Sequence, residues 1–349
     1  MKKLRIFMVV AGLIFGVLAA LLTVFGNPAN MGLCAACFYR DIVGALGFHR
    51  AEAVQYIRPE IIGIGLGAFI SALIFKDFRT RGGSGTLIRF VLGMFFMVGA
   101  LVFLGCPVRA VLRLAGGDLN GITAILGIIA GVLIGIYFLK RGFNLGRATA
   151  VKKVAGWIMP LGMLLLLVFL LAKPTFIFFT EKGPGAMHAA VIISLVVGLI
   201  VGVLAQRTRM CFVGGWRDLF LVKDTYLFSG IAAFFVGALI VNLFTHNVHI
   251  GFVDQPIAHT MHIWNFLSML LVGLSGTLLG GCPLRQTVLA AEGDTDAVVT
   301  ILGLAAGAAI CHNFNIAASA KGLATFSATA VIAGLIITCL IGFFMSREN

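Results

Sequence analysis

Gly105-Cys106-Pro107-Val108-Arg109 returns as Gly281-Cys282-Pro283-Leu284-Arg285, a shift of 176 from Cys106 to Cys282. The same shift carries Gly117-Asp118 onto Gly293-Asp294, Ile125-Leu126-Gly127 onto Ile301-Leu302-Gly303 and Ala130-Gly131 onto Ala306-Gly307, without a gap. A second pair lies upstream. Cys34 stands six residues before Arg40-Asp41, and Cys211 six before Arg217-Asp218. Gly12–Ala19 and Gly198–Ala205 precede these and read alike. Chance could match the apolar flanks, but not the ordered polar columns. The chain therefore reads as a duplicated unit, 1–182 and 183–349, with the boundary near Thr180–Ala189.

Composition sets the solvent. Of the 349 residues 60% are hydrophobic and 11% charged, and the mean hydropathy is +1.07. A soluble chain carries about 25% charged residues, so a multi-pass protein solvated by a lipid bilayer is expected. A span needs roughly 20 mostly apolar residues. Candidates in the first unit are Phe7–Phe25, Ile61–Phe75, Phe90–Leu104, Gly121–Leu139 and Trp157–Leu171. In the second they are Ala189–Ala205, Tyr226–Phe244, Trp264–Gly280, Val298–Ile310 and Ala324–Phe344. Phe7–Phe25 lacks a small-residue cleavage site and is long enough to span, so no signal peptide is expected.

The formal charge of +13 does not point to nucleic acid, because it is not pooled on a soluble domain. Lys2, Lys3 and Arg5 precede the first span; Lys76, Arg79 and Arg81 follow the second. Arg141, Arg147, Lys152 and Lys153 follow the fourth, and Arg207 and Arg209 the sixth. Basic residues in alternate loops mark the cytoplasmic side. His246–His262 holds no Lys or Arg and is expected outside, with both termini in the cytoplasm. Five spans per unit would turn the second unit over. The expected fold is all-α, two inverted repeats with a site near the midplane.

The cysteine-bearing segments Phe38–Phe48 and Val108–Leu114 are too short to cross and hold arginine and glycine. Such backbone survives at membrane depth only inside protein or beside water, so re-entrant half-helices are expected, two from each face. Proline suits a first helical turn, which puts Cys106 and Cys282 at helix N-termini, where free N–H groups favour anions. A thiol is a weak donor and a weak acceptor, suited to a large, polarizable guest. Cys34, Cys37, Cys106, Cys211 and Cys282 could line an axial file. Arg40, Arg109, Arg217 and Arg285 would attract an anion, with Asp41 and Asp218 holding neighbouring arginines; the competing reading is that the arginines only tie half-helices to loops. Cysteine also selects soft metals, but a cation ringed by arginine is unfavourable, so no metal and no cofactor are expected. His246, His249, His259 and His262 have no counterparts in the first unit and read as interfacial. Cys311 and Cys339 lack the flanking motifs and read as packing residues.

These motifs resemble the YeeE/YedE family of bacterial inner-membrane proteins. Cys211-Phe212 with Arg217-Asp218, and the two Gly-Cys pairs, carry the resemblance, which runs along essentially the whole chain. It implies an hourglass-shaped transporter, not an enzyme. Thiosulfate would pass inward between thiols by S–H···S hydrogen bonds, the relay here being Cys34 (or Cys37), Cys106 and Cys282, with Cys211 the repeat mate of Cys34. It also implies a small soluble sulfur-carrier protein as cytoplasmic acceptor. Met31-Gly-Leu-Cys-Ala-Ala-Cys-Phe-Tyr-Arg-Asp looks like the branch associated with selenium metabolism, so a selenium-containing anion is the other expected cargo. The alternative function is a membrane thiol oxidoreductase or chalcogen transferase using Cys34 and Cys37. No nucleotide motif is present to make ATP the direct drive.

Overall fold

The computed structural model describes residues 2–346, with side chains from Lys3 onward. Met1, the Lys2 side chain and residues 347–349, at the ends of the two expected units, lie outside the described residues.

The fold is all-helical. In the first half α1 is Lys2–Val24, α2 Ala35–Ala45, α3 Pro59–Ile74, α4 Thr86–Phe103, α5 Pro107–Ala115, α6 Asn120–Lys140 and α7 Ile158–Ala172. In the second α8 is Val191–Thr208, α9 Gly214–Leu221, α10 Tyr226–Phe244, α11 His262–Leu279, α12 Pro283–Ala291, α13 Thr295–Asn313 and α14 Ser327–Phe344. Among the described residues, ten segments are long and apolar enough to cross a membrane, and each overlaps one of the ten ranges expected from sequence. Two of them, Thr86–Ala115 and His262–Ala291, are 30 residues long because hydropathy runs on through the Gly-Cys-Pro breaks. At 1.5 Å per residue that exceeds the roughly 30 Å hydrocarbon core, so the break allows the chain to leave the span. The remaining short helices, α2 and α9, hold 11 and 8 residues.

Packing pairs elements across the halves. α1 lies along α10 and α3 along α8; α4 lies along α13 and α6 along α11. Exchanging each helix for the one seven elements on converts each pairing into its mate. The exchange also maps α4·α11 and α1·α8 onto themselves. Small residues allow this closeness. A Cβ on Gly12 would lie 3.0 Å from the Gly230 Cα, and one on Gly198 2.9 Å from the Gly63 Cα, so the crossing helices meet backbone to backbone, as small residues permit in lipid. The fifth spans depart from the scheme. α7 packs on α3, whereas α14 packs on α4 and α11; α7 turns leucine, isoleucine and valine outward, and α14 leucine, isoleucine and phenylalanine.

The repeated Gly-Asp columns have a local cause. Gly117 and Gly293 adopt φ of 91° and 96°, a left-handed conformation that suits glycine and ends each short helix. Asp294 then caps α13, its Oδ1 accepting from the Asp296 and Ala297 amides at 3.0 and 3.1 Å, while Asp118 sits one residue before the Leu119 N-cap of α6 and its Oδ1 accepts from the Asn120 amide at 2.9 Å. Capping is the usual role of aspartate at a helix start.

The loops sort to two ends. Arg5 pairs with Asp224, Arg207 with Asp77 and Arg81 with Asp294 at the basic end. There a two-residue strand pairing joins Arg81–Gly82 to Thr149–Ala150. At the opposite end the segment 174–189 crosses over α2: Phe178 N donates to Ala45 O at 2.8 Å and Gly185 N to Ala53 O at 2.8 Å.

Candidate functional site

The break after α4 organises the first cysteine group. Leu104 takes φ 67°, which stops the helix and leaves its last carbonyls without partners. Three side chains satisfy them. His259 Nε2 donates to Val102 O at 2.8 Å, Arg113 Nη1 to Phe103 O at 3.0 Å, and Arg109 Nη1 to Leu104 O. Arg109 also donates to Asn30 O at 3.0 Å and Ile257 O at 3.4 Å. It is fully buried, and its Nη1 lies 3.6 Å from Cys37 Sγ. Arg109 thus both ties the broken helix to two loops and presents a positive charge to sulfur; the two expectations for it describe one side chain.

Cys106 is the N-cap of α5, with Pro107 in the first turn, and Cys282 is the N-cap of α12 with Pro283 in the same place. Cys34 caps α2, its sulfur accepting from the Cys37 amide at 3.3 Å. The Cys34 and Cys37 sulfurs are 2.6 Å apart, and Cys34 is 3.6 Å from Cys106. All three are buried and unbridged. In the second half Cys211 Sγ accepts from the Gly214 and Cys282 amides at 3.1 and 3.3 Å. That sulfur therefore receives N–H groups at the starts of both α9 and α12, the donor arrangement that stabilises negative charge. The five motif cysteines stand as a trio and a pair, with Cys34 and Cys37 of the trio together at the start of α2. The half-helices α2 and α12 touch through Tyr39 Oη and Thr287 Oγ1, 2.7 Å apart.

Arg40 and Arg217 are held by the aspartates that follow them. Arg40 Nη2 lies 2.5 Å from Asp41 Oδ1, and Arg217 Nη2 2.8 Å from Asp218 Oδ1. Their surroundings differ. Arg40 and Asp41 are buried, whereas Arg217 and Asp218 are 26% and 23% exposed. Arg285 reaches Glu292 only at 3.7 Å, and its Nη1 is buried without a hydrogen-bond partner. Cys311 is buried in α13 and Cys339 half-buried in α14.

Three buried charges were not singled out from sequence. Arg58 completes the Asp41 site, its Nε 2.7 Å from Oδ2. Its Nη1 and Nη2 donate to Met187 O and Pro184 O at 3.0 and 2.8 Å, so one side chain clamps the inter-repeat segment to α2. Arg113 pairs with Asp118 at 2.5 Å, both fully buried. Glu60 accepts from Asn27 and Ser194 at 2.7 and 3.0 Å. The available signal was an ionisable residue beside an apolar run, as in Arg58-Pro59-Glu60.

His259 departs from the interfacial reading. It is buried because its loop folds back over the end of α4, and its Nδ1 accepts from the Met261 amide at 3.4 Å. That contact assigns the proton to Nε2, and burial pushes the imidazole pKa down. His246, His249 and His262 stay exposed.

A polar-lined cavity lies among the loops of each end. At the opposite end a space of about 120 Å³ is bordered by Asn30, Gly116, Asn242, Asn247, His249 and Gln255. At the basic end one of about 380 Å³ is bordered by Arg79, Arg81, Arg207, Arg209 and Arg285, with Asp77 and Glu292 also on its wall.

Residues 207–345 match the family described as sulphur transport. Over 114 residues the chain is 34% identical to a protein of Spirochaeta thermophila named thiosulfate transporter TsuA, a match covering 33% of this chain. The chain thus spans about one third of that relative's length. The matched family segment contains Cys211, Arg217 and the second Gly-Cys-Pro-x-Arg turn, motifs that recur in the unmatched first half. The likeness to the sulphur-transport family is thus carried by residues 207–345.

Proposed function

We propose that the protein carries a small sulfur-containing anion, thiosulfate or a selenium analogue, across the bacterial cytoplasmic membrane between its cysteine groups. The observation that carries this reading is the buried trio Cys34, Cys37 and Cys106 beside Arg109, matched by Cys211 and Cys282 on two helix starts. A buried group of thiols beside one fixed positive charge offers a polarizable anion more than it offers a hard cation. The family match and the named thiosulfate transporter support the class of cargo. A small soluble sulfur-carrier protein at the cytoplasmic end is part of the same proposal; the arginine-lined cavity there is where an anion would emerge.

Two inverted repeats are the proposed architecture, supported by the exchange of packing pairs between halves. On this arrangement a reporter fused after Lys153 reads cytoplasmic and one at Asp254 reads external. Both reporters on one side of the membrane would overturn it.

The direct test is uptake of labelled thiosulfate, selenite and selenium-substituted thiosulfate into vesicles containing only this protein. The thiol oxidoreductase reading draws on one observation, the 2.6 Å separation of the Cys34 and Cys37 sulfurs. A relay requires one sulfur at that station, whereas a disulfide cycle requires both. We expect one of Cys34→Ser and Cys37→Ser to retain at least about a third of the uptake, a loss under 1 kcal/mol of barrier. Loss in both variants, with a Cys34–Cys37 disulfide trapped during turnover, would transfer the assignment to redox chemistry.

A further inference from the structure

The two cavities occupy equivalent places in the two halves. His249 N donates to Gly116 O at 2.9 Å, and Arg79 N donates to Glu292 O at 2.9 Å. Two residues further on, Gly251 N donates to Gly117 O at 3.1 Å and Arg81 N to Gly293 O at 3.3 Å. Gly116 and Glu292 are themselves related by the repeat shift, and Asn30 and Arg207 each stand four residues before a cysteine. Equivalent backbone therefore carries His249 and Asn30 at one end, Arg79 and Arg207 at the other. The lining changes from amides and an imidazole to guanidinium groups.

We propose that the cavity at the basic end is a binding site for a small oxyanion, held by Arg79, Arg209 and Arg285 and separate from the cysteines. Five arginines face Asp77 and Glu292 on the wall and Asp294 behind Arg81, which leaves two positive charges uncompensated. Arg81 and Arg207 are engaged by Asp294 and Asp77 at 2.7 and 2.9 Å. Arg79 and Arg209 make no ion pair among the described residues, and Arg285, on the same wall, reaches Glu292 only at 3.7 Å and has no hydrogen-bond partner for its buried Nη1. Guanidinium forks match oxyanion oxygens in pairs, and a concave wall of one sign focuses the field. Arg209 stands at φ 57°, where glycine or asparagine would be easier. That the site holds cargo on its way out rests on the transport reading; that it binds an oxyanion does not.

The test is binding of labelled sulfate and thiosulfate to the purified full chain in nanodiscs of zwitterionic lipid. Saturable binding is expected, weakening with salt. Arg79→Gln and Arg209→Asn together should weaken it at least about tenfold. Asparagine suits the left-handed backbone, and Arg79→Gln alone, at an exposed side chain, should give part of the loss without affecting folding. Arg141→Gln, on the same end but away from the cavity, should leave binding unchanged. Repeating the measurement in discs rich in anionic phospholipid identifies the source of the anion. If bound headgroups abolish sulfate binding there and no free anion binds in zwitterionic discs, the cavity is a lipid site and the proposal falls. It falls equally if free-anion binding ignores both arginine changes. Cys106→Ser, which should stop uptake, should still bind the anion. Arginine-dependent binding in a protein that transports nothing would therefore refute the transport reading alone.

Discussion

Cys106→Ser and Cys282→Ser should each lower thiosulfate uptake at least about tenfold, an added barrier of about 1.4 kcal/mol or more. Both cysteines are fully buried at the N-cap of a short helix. Serine keeps a donor and an acceptor, so the folded geometry should survive. What it loses is the large, polarizable sulfur that a soft anion meets after shedding its water. Membrane levels should stay near those of the parent. Cys311→Ser and Cys339→Ser should change uptake by less than about twofold, since neither belongs to a repeated motif and ordinary packing changes are small in energy. Parent-like uptake in both Cys106→Ser and Cys282→Ser would remove the thiols from the transport route.

The second large effect is on stability. Asp41→Ala should destabilise the protein by about 3–5 kcal/mol, the usual consequence of removing one partner from a buried ion pair. Asp41 neutralises two buried guanidinium groups at once, Arg40 at 2.5 Å and Arg58 at 2.7 Å. Its counterpart in the repeat, Asp218, sits a quarter exposed beside Arg217, so Asp218→Ala should cost below about 1 kcal/mol. Thermal unfolding of the two variants in the same detergent compares them directly. Equal shifts would mean that burial of the Asp41 site does not govern its contribution. A large fall for Asp41→Ala that Arg58→Leu added to it partly reverses would locate the penalty in the uncompensated charge.

The sequence by itself determined the solvent, the ten spans and the helix starts. Hydropathy fixes spans because every backbone polar group in lipid must be satisfied within its own helix, a local condition that a window of residues can meet. Cys106-Pro107 and Cys282-Pro283 were legible as helix starts for the same reason: proline's fixed φ and missing N–H act within one turn. Tertiary structure alone decided which groups meet. No spacing says that Cys106, 72 residues from Cys34, comes within 3.6 Å of it. Nor does any spacing say that Arg58 clamps Pro184 and Met187, or that His259 turns inward to a carbonyl freed by the kink at Leu104. It also separated two copies of one motif, burying Arg40-Asp41 and leaving Arg217-Asp218 partly open. Burial and charge compensation depend on every helix packed around a site, and those neighbours come from distant parts of the chain.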